Sequence, residues 1–406
     1  MAGPLTGKKV IEFATYVAAP SATRVLADLG AEVIKVETAT GDDYRTNWIV
    51  YMMPGESDLE NPCYDIVGVN KRFTSLNLKT EEGREAMYRL CDEADVFVTS
   101  MRDKALLKLG VDWETLHARN PRLLWAQVRG YGEHGELRDE PGYDYTAYHA
   151  RSGVGGSLYE AGGPPMPGGT GYGDQQTGMS TAAAIMGAMV RQSEEGVGDR
   201  IIVSLHAVGV YMMGLTHGAA QYGNYILPTS RKIPFNPFNN TYQTKDGKWI
   251  QFCVAAPQLG YNHFMETIGR GDLVDDPRYQ DQDEMRKNHH REFIEILEEA
   301  LATKTLDEWI PIFRENDIAH APIMSSTDVL NDPECWDNGY VRKVQYPTGN
   351  EAILFPTPFR LDSVGEPPLR PSRGIGADTF EVLKEYGYTD EELAAMNESG
   401  AILQHE

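Results

Sequence analysis

The sequence predicts an α/β protein: an open, mostly parallel, Rossmann-like sheet domain joined to a second, smaller α+β domain. Three observations carry that expectation. Short apolar strand-like runs alternate with helical stretches from Lys9 to Val128, the order of repeated βαβ units. The character changes after a segment rich in Pro, Phe and Asn, residues 233–240, where a hairpin pattern is followed by several helices. Finally, 406 residues exceed what one compact core usually holds.

Taken in order, the first unit reads as strand Val10 to Ala14, loop Thr15 to Pro20, helix Ser21 to Leu29 and strand Glu32 to Glu37. Further strands are expected at Phe73 to Leu78, Asp95 to Thr99 and Leu123 to Val128, with a helix opening at Thr80 behind Glu81 and Glu82. Strand Arg200 to Leu205 and an apolar helix around Val208 to Leu215 complete a large domain over residues 1–232. Residues 239–323 form the small domain, with a hairpin about Lys245-Asp246-Gly247 and a capping box from Thr305 to Glu308. Residues 324–406 return to the large domain, and Thr389 with Glu392 caps a last short helix.

Composition narrows the function. A formal charge of -23 argues against nucleic acid or an anionic membrane as a partner. The four cysteines, Cys63, Cys91, Cys253 and Cys335, lack zinc-ligand spacing and suit a reducing compartment. No apolar run approaches the roughly 20 residues that span a bilayer, and no secretory leader is visible at Met1, so a cytoplasmic location is expected.

The run Gly171-Tyr172-Gly173-Asp174-Gln175-Gln176-Thr177-Gly178 brings a carboxylate to the start of the apolar stretch Met179 to Val190. A helix beginning after Asp174 would turn unpaired N–H groups toward it, keeping the carboxylate ionised at neutral pH and offering donors to an oxyanion. A plain helix cap explains the same spacing, and spacing alone favours the cap.

In an open α/β sheet, ligands sit beyond the carboxyl ends of the strands. Lys71, Arg72, Lys79, Arg102, Lys104, Lys108 and Arg129 are expected to gather at that edge, where a phosphorylated ligand would find them. Glu37 ends the second strand where a ribose-binding acid often lies, but the turn Thr15-Tyr16-Val17-Ala18-Ala19-Pro20 has no GxGxxG, which removes nicotinamide and flavin cofactors. No Walker loop, HExxH or GxSxG is present either. His289 and His290 read as solvent-facing, and His206 and His217 as packed. A carboxylate is left as the reacting group.

Ordered along the chain, the segments Gly7-Lys8-Lys9-Val10-Ile11-Glu12, Leu26 to Glu37, Asn70-Lys71-Arg72, Arg129-Gly130-Tyr131-Gly132 and Gly173-Asp174 with Gly178 resemble the class III CoA-transferases. Pro141 to Ala147, Leu158-Tyr159-Glu160 and Tyr346 to Glu351 resemble in particular the cinnamoyl-CoA:phenyllactate branch, which acts on 2-hydroxy acids.

The resemblance implies that coenzyme A moves from an acyl-CoA donor to a small carboxylic acid, with the CoA thioester as substrate and no separate cofactor or metal. Asp174 would be the nucleophile, passing through aspartyl anhydride and aspartyl-CoA thioester intermediates, with Glu133 and Gly173 in support. CoA would lie along Val17, Thr38, Leu76, Asn77, Leu78, Lys79, Ser100, Met101, Lys108, Arg129 and Tyr131. An interlocked homodimer is also implied. Tyr51, Met52, Met53, Tyr145, Tyr148, Met212 and Met213 are candidates for an apolar acyl pocket. α-Methylacyl-CoA racemases share the fold and place a His-Asp pair after a glycine; Gly142 is followed here by Tyr143-Asp144, so the imidazole is missing. A CoA-binding sensor without chemistry is the reading from another class.

Overall fold

The structure is a computed structural model that describes residues 3–47, 60–223, 227–254 and 257–405. The chain falls into two compact units, one made of Met1–Gly155, Pro167–Gly218 and Pro333–Glu406, the other of Gly156–Met166 and Ala219–Asp332. The smaller unit thus takes in more chain on both sides than residues 239–323, and it includes a short excursion from the middle of the large one.

Six parallel strands build the large unit: β1 (Lys9–Phe13), β2 (Glu32–Glu37), β3 (Arg72–Leu76), β4 (Val96–Thr99), β5 (Leu124–Arg129) and β6 (Asp199–Ser204). They lie in the order β3-β2-β1-β4-β5-β6, and a short antiparallel strand, Ile402–Leu403, adds to the free edge of β3. The strand order reverses direction at β1, which opens a crevice between the carboxyl ends of β1 and β4. β1 to β4 are buried almost throughout, and the polar residues Glu12, Lys35, Glu37, Thr74, Ser75 and Thr99 are buried with their apolar neighbours.

Helix α1 (Ala18–Asp28) starts three residues ahead of the expected Ser21. Pro20 falls in its first turn, where a missing N–H leaves no helical hydrogen bond unmade. On the same sheet face lies the long helix α2 (Tyr172–Glu195). The two helices touch at Gly178, where a Cβ would overlap Ser21 and the Ala18 carbonyl, so only glycine lets them approach this closely. A second apolar cluster covers the other face and is completed by Val382, Leu383, Leu393 and Met396 from the end of the chain.

The small unit has a three-stranded antiparallel sheet, β7 (Thr241–Gln243), β8 (Trp249–Phe252) and β9 (His320–Pro322), so the expected hairpin forms. Its core gathers Phe238, Tyr242, Phe252, Tyr261, Phe293, Trp309 and Phe313. Thr305 and Glu308 cap Leu306–Glu315 reciprocally, as do Thr389 and Glu392 at Asp390–Glu398 in the large unit. His290 departs from its solvent-facing reading: it is half-buried, and burial pushes its imidazole pKa down. Among the described residues no helix is long and apolar enough to cross a membrane.

Candidate active site

A cavity of about 760 Å³ opens at the carboxyl ends of the strands. Its walls come from the turn after β1 (Thr15 to Ala18), the turn after β4 (Ser100 to Arg102), the end of β5 (Gln127 to Gly130), the loop Glu140 to Tyr145, and the start of α2 with Thr170, Gly171 and Asp174. Ser100 ties the first two turns together, its hydroxyl accepting from the Thr15 N–H at 3.2 Å. The Tyr16 backbone is held in a left-handed conformation (φ 64°), with its N–H donating to Asp42.

Asp174 sits in the first turn of α2, not ahead of it. The helix begins two residues earlier, and its cap is Asp144, a distant residue at the head of the π-helical turn Asp144–Ala150. The Gly171 and Gly173 N–H groups donate to the two Asp144 oxygens at 2.9 and 2.8 Å. Gly173 must be glycine, since a Cβ there would overlap the Tyr148 ring and the Asp144 carboxylate.

Two expectations are overturned by that geometry. The Gly171 and Gly173 N–H groups are spent on Asp144 and are not free for an oxyanion. Nor does Asp174 keep an ordinary carboxyl pKa: burial, and behind it the charge of Asp144, push it up to about 7. Among the described residues the Asp174 carboxylate makes no hydrogen bond and no ion pair. It faces the cavity as a partly protonated, unsatisfied carboxyl group.

Of the positions that the resemblance assigns to CoA, Val17, Ser100, Met101 and Arg129 line this cavity together with Asp174. Arg129 is held by Asp103, Nη1 to Oδ1 at 2.8 Å. The others lie elsewhere. Leu76 and Leu78 are packed in the sheet core, and Asn77 bonds the Gly400 carbonyl. Thr38, Lys79 and Lys108 are exposed, with Thr38 bonded to Thr40. Tyr131 packs edge-on to His206 at 6.0 Å. Glu133 forms an ion pair with Arg200 at 2.6 Å.

The basic cluster is corrected in the same way. Arg72 starts β3, so it stands at the amino end of the sheet, where Glu32, Glu381 and Glu385 occupy it. Lys71 is buried, donating to Glu12, Thr23 and the Pro20 carbonyl. Glu37 is no ribose ligand, because Arg45 grips both its oxygens. Among the acyl-pocket candidates only Tyr145 lines the cavity: Tyr148 is a core residue with its hydroxyl on Gln176, Met213 packs on the core, and Met212 is exposed. Tyr51, Met52 and Met53 lie outside the described residues.

Sequence reasoning missed the capping role of Asp144 and the cavity position of Arg138. The signal for Asp144 was present in Gly142-Tyr143-Asp144, a short acidic residue after a glycine, but nothing local says which helix it caps.

A carboxylate at the head of a helix, facing a cavity over the strand ends of an α/β sheet, fits transfer between acyl groups, and the comparisons agree. Residues 5–379 match the CoA-transferase family III profile, and the chain belongs to that family. It is a CoA-transferase. It is 41% identical to the cinnamoyl-CoA:phenyllactate CoA-transferase of Clostridium sporogenes, over 98% of this chain and 97% of that one. It is 38% identical to the (R)-2-hydroxy-4-methylpentanoate CoA-transferase of Clostridioides difficile, over 98% and 99%. Among solved structures, a CAIB/BAIF family protein from Brucella suis superposes with a TM-score of 0.81 at 27% identity, covering 95% of this chain and 100% of that one.

Proposed function

We propose that the enzyme moves CoA onto a 2-hydroxy acid with an aromatic or branched side chain, using Asp174 as a covalent relay. The supporting observation is the Asp174 carboxylate, unpartnered among the described residues, at the wall of the one cavity that also holds Val17, Met101 and Arg129. The relatives named for phenyllactate and 2-hydroxy-4-methylpentanoate support the acceptor class.

In the first step an Asp174 oxygen attacks the donor thioester carbonyl, the C–S bond breaks, and a mixed anhydride and CoA thiolate form. The thiolate then attacks the Asp174 Cγ, releasing the donor acid and leaving an aspartyl thioester. An acceptor carboxylate attacks the same carbon, expelling the thiolate, which finally takes the acceptor acyl group and returns Asp174 as a free carboxylate. Charge and protons balance with no general base, so the scheme asks only for an ionised Asp174 and exclusion of water. Val17 and Met101 would line the pantetheine path and Arg129 would meet phosphate. An interlocked homodimer acting in the cytoplasm completes the proposal.

The test is to incubate the enzyme with cinnamoyl-CoA and phenyllactate, follow phenyllactyl-CoA by mass spectrometry, and repeat with Asp174→Ala. Exchange that vanishes in the variant while CoA affinity persists supports the reading. Exchange that survives removes Asp174 from the reaction, and binding without exchange across a panel of acids points to a sensor.

A further inference from the structure

The left-handed backbone of Tyr16 (φ 64°) is unfavourable for a bulky side chain and persists only where the surroundings hold it. Here they do. The buried Asp42 carboxylate accepts the Tyr16 N–H at 3.0 Å and the Tyr44 N–H at 2.9 Å on Oδ1, while its Oδ2 accepts from Lys35 Nζ at 2.9 Å. Lys35, also buried, donates in turn to Glu12 at 2.6 Å and to the Ala14 carbonyl at 2.9 Å, just ahead of the turn. One carboxylate thus fixes two tyrosines, and both line the cavity that holds Asp174.

The rings of these tyrosines meet. That of Tyr16 lies 6.5 Å from that of Tyr44 and 6.2 Å, edge-on, from that of Tyr143, a third residue of the cavity wall. Tyr16 and Tyr44 are half-buried and Tyr143 is 56% exposed, so none of the three is closed off in the core. Burial, then Cys63, then the Asp174 carboxylate raise the Tyr44 phenol above its ordinary value, so Tyr44 is a neutral group within electrostatic reach of Asp174.

We infer that Tyr16 is a specificity-determining residue: with Tyr44 and Tyr143 it forms an aromatic wall that takes the planar aryl group of an aromatic acyl-CoA whose thioester carbonyl stands at Asp174. The inference rests on the reading of Asp174 as the nucleophile, which fixes where that carbonyl must lie. With Met101 and Arg129 given to the CoA moiety, the acyl side chain is left the tyrosine side of the same cavity. An edge-on or offset ring pair is worth more than the apolar area it buries, so the wall favours an aryl group over a branched alkyl group. Aryl acids are then the preferred substrates within the proposed class.

The test is calorimetric binding of cinnamoyl-CoA and of 4-methylpentanoyl-CoA to the full-length Asp174→Asn protein, which lacks the attacking carboxylate, with and without a change at Tyr16. Tyr16→Leu is expected to weaken cinnamoyl-CoA binding about 3- to 10-fold and 4-methylpentanoyl-CoA binding by less than about two-fold. Tyr16→Phe keeps the ring and should change neither. Equal losses for the two thioesters, no loss, or the same selective loss in Tyr16→Phe overturns the inference. Should Tyr16→Leu fail to fold, Tyr143→Leu, at an exposed position, decides by the same ratio: a loss selective for cinnamoyl-CoA supports the wall, and an unchanged ratio overturns it. Turnover by the wild type is scored separately. A shifted ratio in an enzyme that exchanges no CoA removes only the functional reading, and exchange with an unshifted ratio removes only the wall.

Discussion

Asp144 caps the helix in whose first turn Asp174 lies, so the carboxylate that orders the nucleophile's backbone also raises its proton affinity. Order and reactivity are set against each other at this one turn. A bare helix N-terminus would have held Asp174 ionised, whereas a second buried carboxylate works against ionisation.

Activity should therefore climb with pH through about 7, the value to which Asp174 is pushed, because only the ionised form attacks. Profiles of kcat/KM measured between pH 5 and pH 9 check this. A flat profile over that range would place the nucleophile's ionisation elsewhere.

The same raised group makes a prediction about stability. The folded state binds a proton that the unfolded chain has already lost, so Asp174 costs stability as pH rises from the ordinary carboxyl range through about 7. Asp174→Asn should accordingly stabilise the protein at pH 8, by on the order of 1–3 kcal/mol, and have little effect at pH 4. Urea unfolding at the two pH values measures the difference.

Asp144→Ala leaves the Gly171 and Gly173 N–H groups without acceptors. A loss of about 1–2 kcal/mol is expected near pH 5, where Asp174 is protonated and relief of repulsion does not mask the missing cap. At pH 8 the apparent loss should be smaller, because removing the Asp144 charge then helps the ionised neighbour.

Gly173→Ala would normally gain up to about 1 kcal/mol inside a helix. Here the added methyl meets Tyr148 and Asp144, so the sign reverses and exchange should fall with stability. Thermal melting alongside turnover reports both, and a stabilised, active variant would contradict the close approach.

Arg129, which lines the cavity, is held by Asp103. If Arg129 meets phosphate, Arg129→Ala should raise the KM for acyl-CoA several-fold with a smaller effect on kcat, and Asp103→Asn should lower it. Both changes should shrink at high salt.

Local signals were the legible part of the fold. The βαβ order, the hairpin before the small sheet and the capping boxes at Thr305 and Thr389 each depend on residues within a few positions of one another. The cavity was legible in part, because strand ends can be read off strand limits, which brought Val17, Ser100, Met101 and Arg129 together. Lys71 and Arg72 were misplaced because charge was counted without strand direction: Lys71 precedes β3 and Arg72 opens it, so both stand at its amino end. The pairing of Asp144 with the Gly171 turn joins segments 27 residues apart, and no periodicity encodes a contact of that kind.

The edge strand Ile402–Leu403 bonds to Leu76 and Ser75, while the Thr379 hydroxyl donates to the Leu403 carbonyl. During synthesis the ribosome must deliver the chain through Leu403 before the border of β3 can be sealed. Until then the nascent sheet presents an open row of backbone groups, a template for wrong partners, so the tail serves as the closing stitch of the large unit.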